Sequence, residues 1–114
     1  MGSEKRKEER NASYAKAILL KDGTPGYLRD LSSMGCHIAF VHPIPVRKED
    51  ALLLQVLPEK EFGIPAFKMF LEVLWIRKDE VFFSVGGRVS PLPGREHRES
   101  LDRLYKFYAR RAPS

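Results

Sequence analysis

Apolar residues in this chain come in short runs, each closed off by a cluster of turn formers. "SYAKAILLK", Ser13 to Lys21, is compact, apolar and free of breakers, and it runs into "DGTPG". That pattern predicts a strand followed by a turn. "YLRDL" then makes a short strand before "SSMG", and "CHIAFV" from Cys36 alternates in character as a half-buried strand does. "HPIPVRKED", residues 42 to 50, is a loop, because its two prolines remove backbone donors and pin φ. "ALLLQVL", 51 to 57, predicts a strand with a polar interruption at Gln55, and "PEKEFGIP" a second loop. "FKMFLEVLWIRK", 67 to 78, fits a helix by period alone. Its Val, Trp and Ile favour a strand, and "KDE" followed by "VFFSVGGRV" completes a hairpin signal. Short strands at turn-punctuated intervals predict a small β-barrel or sandwich.

The C-terminus changes period. After "SPLPG", residues 95 to 111 place Leu101, Leu104, Tyr105 and Tyr108 at i, i+3, i+4 and i+7, the apolar stripe of an amphipathic helix. This helix is expected to pack the stripe on the strands and keep its basic face in water. Trp75, Phe62, Phe67 and Phe70 read most simply as core.

Composition narrows the class. With 114 residues, 43% of them apolar, the chain fits one domain around one core. No apolar run reaches the roughly 18 to 20 residues that span a bilayer, and the charged N-terminus is followed by no signal-like stretch. The expectation is a cytoplasmic protein without membrane insertion. The single cysteine, Cys36, excludes an internal disulfide. The net charge of +5 sits at the ends: residues 12 to 94 carry ten Lys/Arg against nine Asp/Glu, and residues 95 to 114 carry six against three. A nearly neutral body argues against nucleic acid as the partner, because such binders spread a basic stripe over their main surface.

Catalytic and metal constellations are absent from the sequence. His37, His42 and His97 share no ligand spacing, no nucleophile elbow is present, and "GTPG" lacks the lysine and spacing of a phosphate loop. The reading is a non-enzyme that uses no cofactor. Two motifs remain. "KRKEER", residues 5 to 10, sets Arg6 and Arg10 four apart in a mixed-charge run that has no apolar residue with which to fold by itself, within an N-terminal arm of residues 1 to 11. "DLSSMG", residues 30 to 35, is on its own terms a turn, with Asp and Ser capping amides and Gly bending the chain. On an extended segment, however, Asp30 and Ser32 project to one face, and Gly35 admits a ligand or a neighbouring backbone. Guanidinium groups match the acceptors O6 and N7 of guanine, and a carboxylate or hydroxyl accepts from its Watson–Crick edge. Arg6, Arg10, Asp30 and Ser32 thus form a guanine-reading set.

An R-x-x-x-R motif before the first strand, followed about twenty residues on by D-x-S-x-x-G, resembles the PilZ domain family of bacterial cyclic di-GMP receptors. "LEVLWIRK" is similar to the family's Val-Trp-rich strand, "VFFSVGGRV" to its closing strand, and the terminal helix to its end. The resemblance implies a six-stranded antiparallel β-barrel over residues 12 to 112, packed by the helix of residues 95 to 111. It further implies a non-catalytic second-messenger receptor that relays its signal to a partner protein. Arg6 and Arg10 would contact guanine and phosphate, with Asp30, Ser32 and Gly35 lining the other side. Lys5, Gly86 and Arg88 are candidate additional contacts. The closing strand departs from the family pattern at "VGGRVS", where the doublet Gly86-Gly87 either marks a bulge, the reading given more weight, or opens room for ligand. The alternative function is a single-stranded nucleic-acid or protein-interaction barrel using the basic C-terminal helix.

Overall fold

The computed structural model describes residues 15–111. Six strands close into an antiparallel barrel: β1 (Ala15–Leu19), β2 (Pro25–Ser32), β3 (Gly35–Phe40), β4 (Ala51–Pro58), β5 (Phe67–Lys78) and β6 (Phe83–Pro91), in the order β1-β2-β3-β6-β5-β4. The register Ala15↔Pro58 to Leu19↔Leu54 between β1 and β4 shuts the barrel and leaves no sheet edge open to pairing. Among the described residues, a 3₁₀ turn, Lys60–Phe62, interrupts the loop before β5, and a helix, α1 (Arg95–Arg111), follows β6.

Alternation decides what fills the interior. Leu52, Leu54 and Val56 of β4 face inward with Phe67, Met69, Leu71 and Val73 of β5, and all seven are buried. Leu28, Ile38, Phe40 and Val85 add to the barrel core from β2, β3 and β6, and Ala15, Ala17 and Leu19 from β1. Phe70 does not belong to it. An even step from the outward Glu72, it pairs with Leu53 and Ser90 on the outer surface and is 38% exposed, so the expectation of a core phenylalanine is corrected by the period of two. Phe67 is core, whereas Phe62 and Trp75 are only half-buried.

Helix α1 lies against β2, β5 and β6, burying Leu101, Leu104 and Tyr108 and half-burying Tyr105. Three polar bonds fix its pose along its length. The Lys68 N–H donates to His97 Nδ1 at 3.2 Å, Arg103 Nη2 donates to the Gly63 carbonyl at 3.0 Å, and the Tyr108 hydroxyl donates to the Leu28 carbonyl. The outer face is not uniformly basic. Glu96, Glu99 and Asp102 stand beside Arg95 and Arg98 in the N-terminal half, whereas Arg103, Lys106 and Arg110 make the C-terminal half basic, the sign that suits that end of a helix dipole, and all eight are exposed. Among the described residues, no helix is long and apolar enough to cross a membrane.

β3, β6 and β5 meet where side chains are missing. A Cβ on Gly35, whose φ is +148°, would lie 2.3 Å from the Gly87 carbonyl oxygen, and a Cβ on Gly87 would lie 1.8 Å from the Glu72 carbonyl oxygen. The register shift sits across from this doublet, on β5 between Val73 and Trp75, rather than on the doublet itself. The expected bulge is therefore present in the pair but belongs to the partner strand, which gains the extra residue Leu74. Gly86 leaves space that the Trp75 indole takes up, since a Cβ there would sit 2.2 Å from ring carbons. Backbone cannot yield as a ring can, so Gly87→Ala is expected to cost about 3 kcal/mol or more and to lower Tm by roughly 10 °C or more. Gly86→Ala should cost less but displace the indole. Thermal melts of both variants check this, and a Gly87→Ala protein melting like the parent would refute the contact.

Candidate functional site

The register assembles one outward-facing row across four strands. Asp30 pairs with His37, His37 with Gly86, and Gly86 with Trp75. β2 has its own register shift between Leu28 and Asp30, which brings Asp30 opposite His37 and keeps both on the outer face. The next row begins with Ser32 opposite Gly35. A depression of about 270 Å³ lies over these two rows, lined by Asp30, Ser32, Met34, Gly35, His37 and Trp75 with Leu74 and the backbone of Gly87. The structure thus brings Asp30, Ser32 and Gly35 together, as the motif reading expects. It adds His37 and Trp75, which that reading left out.

Each side chain has a local reason for its place. Ser32 Oγ accepts the Met34 N–H at 3.1 Å, an ST-turn that closes the β2–β3 hairpin and leaves the serine O–H to donate elsewhere. Met34, at the hairpin tip, is 85% exposed. The indole of Trp75 spans the gap over Gly86 and meets the His37 ring edge-on, with centroids 5.2 Å apart at 61°. The Arg77 guanidinium lies 5.3 Å from the Trp75 centroid, within cation–π range, and pairs at 3.7 Å with Asp79. A signal for Trp75 was available in the sequence: the only tryptophan of the chain lies across a strand pair from a glycine doublet.

His37 Nε2 is buried and has no hydrogen-bond partner among the described residues. Burial pushes the imidazole below its ordinary pKa, Asp30 pulls it back up, and Arg77 and Arg29 press it down further. Behind it, burial, aided by Asp30, pushes the Cys36 thiol up to about 12, so the cysteine is a protonated, inert core residue at neutral pH. His42 is exposed in its loop and His97 serves the helix, and among the described residues no cluster of His, Cys, Asp and Glu could hold a metal ion.

The remaining candidates are placed as follows. Gly86 lies under the indole, and the room it opens is occupied by Trp75 rather than left to a ligand. Arg88 is exposed in the row beyond, its Cα 3.9 Å from the Cβ position of Gly35, and its guanidinium reaches Glu72 at 4.0 Å. It does not line the depression. Lys5, Arg6 and Arg10 lie outside the described residues. The strand they precede enters at a relevant end: Lys16 pairs with Tyr27, and β2 runs on from there past Ala15 to Asp30 and Ser32.

The depressed His37 titration has a stability consequence. The folded imidazole stays neutral, while the unfolded one takes up a proton near pH 6.5, so this contribution is present above that pH and lost as pH falls through the lower folded value. Tm is expected to drop between pH 7.5 and 5, and His37→Gln should flatten the drop. An identical pH profile in the variant would show that His37 does not titrate with unfolding.

No family model, curated protein or solved structure matches the chain.

Proposed function

We propose that this protein is a cyclic di-GMP receptor of the PilZ type, which binds its ligand without chemical turnover and passes the signal to a partner protein in the cytoplasm. The observation that carries the reading is the outer row itself. It sets a carboxylate acceptor, Asp30, and an aromatic plane, Trp75, on one rigid barrel face, with the hydroxyl of Ser32 in the adjoining row. These are the groups a guanine nucleotide needs. The carboxylate accepts from the Watson–Crick N–H donors, and an aromatic ring under a base is worth roughly 1 to 3 kcal/mol. Phosphates and the Hoogsteen edge call for guanidinium groups, which the Arg6 and Arg10 motif supplies.

Covalent reach supports joining the two motifs. Arg10 precedes Ala15 by five positions, so an extended chain carries it as far as roughly 17 Å from the start of β1. β1 starts beside the stretch of β2 that leads to Asp30, so the site lies within that radius along the strand direction. Glu96, Glu99 and Asp102 interrupt the basic residues on the exposed face of α1, which favours this reading over capture of single-stranded nucleic acid by a continuous basic stripe on the helix.

Calorimetry with cyclic di-GMP is expected to show saturable binding at physiological salt, and an absent signal at high micromolar protein would overturn the reading. Arg10→Lys keeps the charge and loses the planar fork, so affinity should fall by roughly fivefold to a hundredfold. Lys7→Ala should change it little, through a salt-screened effect alone. Asp30→Ala should weaken binding while Tm without ligand stays at the parent value. Equal losses from Arg10→Lys and Lys7→Ala would reduce the arm to diffuse positive charge.

A further inference from the structure

A second depression, of about 570 Å³, also borders Asp30 and Ser32 but is lined by α1 where the first is lined by Trp75. Its floor is Ser32 and Ser33 at the end of the β2–β3 hairpin, and its far wall is Tyr105, Tyr108 and Ala109 of α1. The two depressions share Asp30 and Ser32, so this short length of β2 is a ridge between them. The first, at about 270 Å³, falls below the roughly 300 to 1,000 Å³ that holds a drug-sized ligand, whereas the second, at about 570 Å³, falls within it.

Cyclic di-GMP has two identical purines held apart by a ring of two phosphates and two sugars. A receptor that offers one base-sized seat uses half of it. Here the ridge carries hydroxyls, which donate to phosphate, and each side of it offers an aromatic side chain. We propose that the depression against α1 is the seat of the second purine, with Tyr105 as its aromatic wall and Ser32 and Ser33 beneath the phosphates. This assignment rests on the reading of the chain as a cyclic di-GMP receptor.

The two tyrosines divide the work. Tyr108 is buried and its hydroxyl is committed to the Leu28 carbonyl, so it anchors α1 on β2 and fixes the width of the cleft. Tyr105 is half-buried one helical turn earlier, on the same wall, and its ring faces the cleft. Burial, reinforced by Asp102, holds its phenol above the ordinary range, so at neutral pH it remains a neutral O–H donor rather than an anion opposing a phosphate. Ala109, exposed at the cleft's edge, has the smallest side chain available that keeps the helix regular, and a larger one there would intrude on the seat.

The test compares cyclic di-GMP with GMP, which has one base and needs one seat, using the full chain and calorimetry. Tyr105→Leu removes the ring but keeps apolar packing, and Ala109→Phe fills the cleft from an exposed position. Each is expected to weaken cyclic di-GMP binding about tenfold, as loss of one stacked base does, and to change GMP binding by less than about twofold. A melt of each variant at the parent Tm establishes that α1 is still docked. If the parent binds cyclic di-GMP and both variants bind it equally well, the second seat is refuted while the receptor reading stands. Loss of GMP and cyclic di-GMP affinity in equal measure would also refute it. A parent that binds neither ligand overturns the receptor reading and this assignment with it.

Discussion

Gly35, Gly86 and Gly87 let the backbones of β3, β6 and β5 meet without side chains between them, and both the barrel's closure and the site's floor depend on that contact. Gly35 lies against the Gly87 carbonyl and Gly87 against the Glu72 carbonyl, so the three strands are locked at one level of the barrel. At the same level the absent side chain of Gly86 lets the Trp75 indole lie across β6 and touch His37. The extra residue Leu74 in β5 accompanies this close approach. The glycine that ends D-x-S-x-x-G therefore has a structural duty in this chain whether or not a ligand is present.

Because the row from Asp30 to Trp75 is carried on paired strands of a closed barrel, its spacing is set by hydrogen-bond register and not by loop conformation. That rigidity suits a receptor, since little ordering entropy remains to be spent on the floor when a ligand arrives. The electrostatics are mixed: Asp30 stands on one side of His37 and Arg77 beyond Trp75 on the other. An acceptor at one end of a flat aromatic surface and a cation at the other is a polarity that fits a purine with both donor and acceptor edges better than it fits a simple anion.

Much of the fold was legible because the signals were local. The Val, Trp and Ile content of residues 67 to 78, the turn clusters between strands, and the 3.6 stripe of Leu101, Leu104, Tyr105 and Tyr108 each depend on neighbouring residues alone, and the strand of residues 67 to 78 and the helix of 95 to 111 have the bounds expected. Phe70 lies outside the core that its apolar ring suggests, because its parity in β5 turns it to the outer face. The bulge was assigned to the glycines because they are its visible mark, whereas the residue that bulges, Leu74, is ordinary in sequence. The sequence alone suggests core for Trp75 and gives no partner for His37, because cross-strand register, which puts them side by side over Gly86, is not a local property. Asp30, Ser32 and Gly35 were found by motif. Their juxtaposition with the cleft against α1 required the tertiary fold.

The central claim is that the outer row of β2, β3, β6 and β5 is the ligand floor. Amide and indole N–H chemical shifts, followed by NMR as cyclic di-GMP is added, report on that floor residue by residue, and the single indole makes the Trp75 signal unambiguous. The account predicts saturable shifts concentrated at Asp30 to His37, at Gly86 and Gly87, and at the Trp75 indole. Saturable shifts confined to the exposed arginines of α1, with the Trp75 indole and the Asp30 to His37 amides unmoved, would contradict it.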